Sequence, residues 1–225
     1  MPRIARLVAV GLPHHVTQRG NYQQQVFADD QDKEIYLSFI ILASKKFELT
    51  ILSYCLMDNH VHFIAVPKED YSLAKTFNTA HMRYSQYYNK KQGLRGHLWQ
   101  GRFYSCILDE QHLLSAAKYI ERNPVRTKLV SRPWQWKFSS ANTHCGGEEK
   151  YIYSARSLFD HIDMNRKQWR EYIGEQDKKE ELNEIKKHTM SGRPLGGAEF
   201  VTGLEKKFKR RLHALNWGRP RKSEK

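Results

Sequence analysis

Apolar and polar residues follow two different periods in the first half of the chain, and each change of period marks an element. His14-His15-Val16-Thr17-Gln18-Arg19-Gly20 reads as a first strand, closed by Gly20-Asn21. Helical spacing follows: Asp29 or Asp30 offers a carboxylate cap, and Ile35, Phe39, Leu42 and Ala43 recur on one face. Residues 48 to 56 are rich in Leu, Ile, Thr and Tyr and predict a second strand. Asp58-Asn59 is a turn, and His60 to Val66 is a third strand ended by Pro67. So short a turn makes an antiparallel hairpin. A second helix is expected from about Ser72 to Lys90, with Phe77, Met82, Tyr84, Tyr87 and Tyr88 making it aromatic. Gly93 to Gly101 is a loop, and Arg102 to Leu108 is a fourth strand. Asp109 to Asn123 is a third helix, which Pro124 ends because proline disfavours helical geometry in the residue before it. The order β-α-β-β-α-β-α predicts an α+β fold: a ferredoxin-like four-stranded antiparallel sheet with helices on one face.

The pattern changes after Ser139-Ser140. Cys145-Gly146-Gly147-Glu148-Glu149-Lys150 reads as a linker, dividing the chain into a domain over 1–145 and a mainly helical, basic extension over 146–225. Within the extension, Phe200, Leu204, Phe208 and Leu212 give helical periodicity from Ala198 to Leu215, beside Lys206, Lys207, Lys209, Arg210 and Arg211. The whole chain of 225 residues carries a formal net charge of +14. Lys and Arg divide evenly between the two parts, so an anionic partner need not be confined to the tail. An excess of this size points to nucleic acid. Cys55, Cys106 and Cys145 are scattered, with neither disulfide nor zinc spacing, and the first two fall in apolar runs as buried thiols. No apolar run reaches the length of a membrane span, and the chain reads as cytoplasmic and nucleoid-associated, with no membrane partner.

Candidate chemistry lies in Met57-Asp58-Asn59-His60-Val61-His62-Phe63-Ile64. Residues two apart on a strand share a face, so His60 and His62 present two imidazoles together while Val61 turns inward. On the third helix Tyr119 and Asn123 are four apart and share a face. Two imidazoles and an amide oxygen suit a divalent ion, Mg²⁺ or Mn²⁺, with positions left for phosphate oxygens. Tyr119 is then placed to attack phosphorus and form a covalent 5′-phosphotyrosine, which a free 3′-hydroxyl can reverse: transesterification without nucleotide hydrolysis. No base for the phenol is identified. A zinc phosphohydrolase of small molecules predicts further ligands near His62, and the sequence has none at ligand spacing.

Tyr54 to Phe63, Gly96-His97-Leu98-Trp99-Gln100-Gly101-Arg102-Phe103 and Tyr119-Ile120-Glu121-Arg122-Asn123-Pro124-Val125 together resemble the single-tyrosine HUH transposases, of the insertion-sequence-200-like domain. The branch is the REP-associated tyrosine transposases. His15 to Asn21 and Trp136 to Ser140 fit as well, so the resemblance spans about residues 1–142. It implies metal binding by His60 and His62 and a nucleophilic Tyr119. Asn123 stands where the wider superfamily has a glutamine as third ligand, an oxygen donor of shorter reach. The implied partner is single-stranded DNA with a hairpin, such as a REP-like palindrome, cut beside the folded stem by a monomer or homodimer. Arg19, Arg83, Lys118, Arg122 and Arg126 are candidate phosphate contacts. Tyr84, Tyr88, Trp99 and Phe103 are candidate stacking residues, with Phe103 the most apt to be buried and Trp99 the most apt to meet DNA. Asn21 and Arg102 join the candidate DNA surface. Trp217-Gly218-Arg219-Pro220-Arg221-Lys222 resembles an AT-hook core, with Arg219 in the minor groove. The alternative function is a domesticated repeat-binding protein without mobilising activity.

Overall fold

Strands β1 (His14–Arg19), β2 (Leu49–Met57), β3 (His60–Pro67) and β4 (Tyr104–Ile107) form one antiparallel sheet in the order β2-β3-β1-β4. A computed structural model of the protein describes residues 6–148, 151 and 158–213. The helices are α1 (Asp30–Lys46), α2 (Ser72–Gln92), α3 (Glu110–Glu121), α4 (Asn123–Arg126), α5 (Ala141–His144), α6 (Arg166–Gly174), α7 (Lys179–Ser191) and α8 (Ala198–Phe208). The α+β class and the four-stranded antiparallel sheet are those the sequence predicts. The AT-hook-like segment and Arg219 lie outside the described residues.

The crossover helices α1 and α2 pack on one face of the sheet. The other face is covered too, by α3 and, through it, by the extension. This explains why β3 is apolar on both sides: Val61, Phe63 and Ala65 face Tyr36 and Phe77, while Ile64 faces Leu113, Ala116 and Ile120. Burying each of the large rings stabilises the fold by about 2–3 kcal/mol. In β2 the register against β3 shifts between Ile51 and Ser53. The extra residue reverses the alternation, so Ile51 and Tyr54 both join the first core, and Leu52 and Cys55 the second.

Local signals place the helix starts. Asp29 caps α1 by accepting from Asp32 N at 2.9 Å, and Asp109 caps α3 by accepting from His112 N at 2.8 Å. On α1 the buried face is Tyr36, Leu37, Ile40 and Ala43, and Leu42 is 58% exposed, which corrects the expected stripe by about one residue. Helix α3 stops at Glu121 rather than Asn123. Arg122 ends it, and Pro124 sits at the start of the next short helix, where a missing N–H costs nothing.

Both sheet edges are covered. Beside β2, Leu56 N donates to Phe138 O at 2.9 Å and Ser140 N to Tyr54 O at 3.0 Å. Beside β4, Leu195 N donates to Ile107 O at 2.8 Å, and Asp109 N to Leu195 O at 3.1 Å. The second cover comes from the extension, just after α7.

Candidate active site

One hollow of about 560 Å³ opens on the α3 face of the sheet. Its walls include His60, His62, Tyr119, Asn123, Arg19 and Arg126. The pairing of β1 with β3 sets Arg19 opposite His60 and Thr17 opposite His62, so alternate residues of both strands line its floor. The last turn of α3 supplies Tyr119, and the first residue of α4 supplies Asn123. The break before Pro124 therefore does not separate them: both reach the same hollow.

The two imidazoles stand edge to face, with ring centroids 5.0 Å apart at 88°. His60 Nδ1 pairs with Asn59 Oδ1 at 2.6 Å, and its Nε2 lies 3.1 Å from the Asn123 amide nitrogen. His62 Nδ1 pairs with His15 Nε2 at 2.9 Å. Each ring thus has its Nδ1 tied by an outer partner, while His60 Nε2 meets the Asn123 amide nitrogen. Burial pushes the His60 imidazole down to about 4, helped by the charges of Arg19 and Arg126, and holds His62 well below the usual histidine range. Neutral imidazoles with a free lone pair are the form that binds a cation. No group of three His, Cys, Asp or Glu among the described residues could hold a metal. The donor set on offer is two imidazoles and an amide, and with the Asn123 amide flipped so that its oxygen takes the place of the nitrogen beside His60 Nε2 the residues fit a divalent ion.

Tyr119 is 8% exposed and its ring stands at 90° to that of His62, centroids 5.5 Å apart. Burial raises the phenol above its ordinary value, opposed chiefly by the charge of Arg126 and then by Arg19. The Arg126 guanidinium lies 4.4 Å from the centre of the tyrosine ring and donates to the Tyr119 carbonyl. A cationic neighbour is the feature that lets a buried phenol act as an oxyanion.

Several expected DNA contacts lie elsewhere. Lys118 is buried, 3.5 Å from Glu175 and 4.1 Å from the centre of the Tyr172 ring. Arg122 is buried as well. It donates to Ile173 O at 2.6 Å and pairs with Asp177 at 3.1 Å. Both cations face the extension instead of solvent, because helical rotation carries them to the α6 side of α3. Tyr84 is a core residue whose hydroxyl donates to Val26 O at 2.6 Å, and the ring presents no face for a base. Phe103 is buried as expected. Trp99 is 7% exposed and donates to His81 O at 3.3 Å, with only an edge in a separate hollow that Asn21 and His97 also line. Arg83 is exposed on α2, 5.1 Å from the Phe39 ring, on the face away from the active-site hollow. Arg102 is exposed beside a shallow hollow with Arg6 and Gly192.

Residues absent from the expectations also line the active-site hollow. His15 shares the alternation of Thr17 and Arg19, so its face was legible. Lys186, Thr189 and Met190 come from α7, and nothing local could place them there.

Residues 9–123 match the sequence profile of the family described as IS200-like transposases. A solved structure of a REP-associated tyrosine transposase bound to a REP hairpin superposes with a TM-score of 0.52 and 20% identity, over 64% of this chain and 85% of that one. That likeness speaks for the fold. A crystal structure of a protein from Deinococcus radiodurans R1 is more distant, with a TM-score of 0.38 and 14% identity over 54% of this chain and 97% of that one. Among curated proteins none matches the chain.

Proposed function

The chain belongs to the IS200-like transposase family, and from that premise we propose that it is a metal-dependent, single-strand-specific DNA endonuclease and strand transferase acting at hairpin-forming repeats. The observation that carries the reading is the convergence of Tyr119 with His60, His62 and Asn123 in one hollow open to solvent. The hairpin class of substrate rests on the REP-associated tyrosine transposase bound to a REP hairpin, whose fold this chain shares.

His60, His62 and the Asn123 amide oxygen would hold the divalent ion, Mg²⁺ or Mn²⁺. When bound, such an ion supplies Lewis-acid polarisation of the scissile phosphate and charge stabilisation for the departing oxygen. Tyr119 Oη attacks phosphorus. The phenol proton is lost to water, a new O–P bond joins the tyrosine to the 5′-phosphate of the downstream fragment, and the 3′-oxygen of the upstream fragment leaves and is protonated by water. The phosphodiester energy is kept in the tyrosyl ester, so a 3′-hydroxyl from another strand can attack it and restore the phenol. Arg126 holds positive charge against the tyrosine as its oxygen turns anionic. Arg19, exposed at the rim, is placed to take a phosphate oxygen of the incoming strand.

An end-labelled hairpin oligonucleotide incubated with the protein and Mn²⁺, then run on a denaturing gel, tests this. A labelled band of protein joined to DNA is expected from the native chain and is lost in Tyr119→Phe. A mobility shift without a covalent band from the native chain would favour the domesticated repeat-binding protein instead.

A further inference from the structure

The reaction above needs a bare ring nitrogen on His62, and a chain of hydrogen bonds through His15 and Thr189 in the wall of the hollow decides which nitrogen is bare. His62 Nδ1 lies 2.9 Å from His15 Nε2. His15 Nδ1 lies 2.7 Å from Thr189 Oγ1. Thr189 Oγ1 in turn lies 2.7 Å from the Ile185 carbonyl oxygen one turn earlier on α7. The last atom can only accept. The single hydroxyl hydrogen of Thr189 is therefore committed to it, because two acceptors set 2.7 Å apart without a proton between them repel.

That commitment propagates. Toward His15 the Thr189 oxygen must accept, so His15 carries its hydrogen on Nδ1. A neutral imidazole has one N–H, which leaves His15 Nε2 as an acceptor. His62 must then donate to it from Nδ1, and its lone pair is left on Nε2, the nitrogen not tied to the outer chain. The Cys106 thiol, 3.4 Å from Thr189 Oγ1, is able to donate to it, as this polarity requires. His15, Thr189 and Cys106 are all buried, so water does not compete for these bonds.

We infer that Thr189 and His15 are positioning residues for the metal site: through one polarised chain of hydrogen bonds they lock His62 in the tautomer whose Nε2 can ligate. The inference rests on the metal role of His62 proposed above. It also gives the extension a task. Thr189 lies 66 positions beyond Asn123, outside the segment that matches the family, yet it is the terminus from which the polarity is set. Outer partners of this kind orient ligating imidazoles and tune their affinity.

The test uses the full chain in three forms: native, Thr189→Ser and Thr189→Val. The serine variant keeps the hydroxyl and the valine variant keeps the volume. Nitrogen-15 NMR of the histidine side chains at neutral pH, without metal, reads the tautomer of His62. Calorimetric titration with Mn²⁺ reads the affinity. The native chain and Thr189→Ser are expected to show His62 protonated on Nδ1 and to bind Mn²⁺ within about threefold of each other. Thr189→Val is expected to mix the tautomers and lose roughly 10–100-fold in Mn²⁺ affinity. A native His62 protonated on Nε2 overturns the inference with no variant needed. So does unchanged Mn²⁺ binding in Thr189→Val. Absence of Mn²⁺ uptake by the native chain would instead sink the metal reading itself, and the inference with it.

Discussion

Arg122 and Arg19 carry the same charge and have opposite tasks, because one is buried against the extension and the other projects from the sheet. The Arg122 guanidinium holds the Ile173 carbonyl and Asp177. Removing it leaves the largely buried Asp177 carboxylate to its longer 3.4 Å contact with Arg126 and the Ile173 carbonyl without its donor. Arg122→Ala should lower stability by on the order of 3 kcal/mol in urea unfolding. Arg19→Ala should leave stability within about 0.5 kcal/mol and reduce the salt slope of single-stranded DNA binding by about 0.7. A salt slope lowered by Arg122→Ala with no loss of stability would return that residue to the DNA surface. Reading Arg122 as a phosphate contact was reasonable from the chain alone, since it adjoins Asn123. Burial is a property of what packs over it.

Helix α6 acts as the clasp between the two parts of the chain. Trp169 is fully buried and its indole N–H donates to Glu121 Oε2 at 3.0 Å. Glu121 also accepts from Ser140 at 2.6 Å and pairs with the buried His144. One carboxylate at the end of α3 thus gathers α5 and α6 around itself. Trp169→Phe keeps most of the ring and removes the donor, which should cost on the order of 2 kcal/mol in the same unfolding measurement. An unaltered midpoint would mean that the carboxylate finds another donor and that the clasp is apolar. Helix α7 is the other element whose role exceeds its pattern. It covers β4 and lines the active-site hollow, although its own sequence reads only as a charged amphipathic helix.

Over the whole molecule, the sheet is covered on both faces and buries histidines that no ligand role requires. His14 accepts from Ala9 N at 3.2 Å and donates to Leu12 O at 2.8 Å, and burial takes its ring down to about 4. His81 lies 3.0 Å from the Tyr36 hydroxyl and 4.7 Å from the Trp99 ring centre, and burial takes it to about 3. In the unfolded chain both rings take up a proton near the ordinary value of about 6.5. As pH falls from there toward 4, the unfolded state binds protons that the folded state refuses, so stability must fall. Each ring contributes a slope of up to about 1.4 kcal/mol per pH unit across that window. Urea midpoints taken at pH 7.5, 6.5, 5.5 and 4.5 should drop progressively below about pH 6.5. A level profile would show these rings to be accessible to protons in the folded chain.

Strand parity alone was enough to put His60 and His62 on one face, since a period of two leaves no choice once the strand is assigned. The hairpin, the helix cap at Asp29 and the start of the third helix at Asp109 were legible for the same reason: each follows from residues within a few positions of one another. The packing across the sheet was not. The turn of α1 toward Tyr36, the bulge that reverses β2, the burial of Lys118, Arg122 and Tyr84, and the arrival of Thr189 beside His15 all depend on surfaces brought together from far along the chain. Burial and hydrogen-bond polarity are set by whichever neighbour excludes water, and in this chain that neighbour is often an element of the extension.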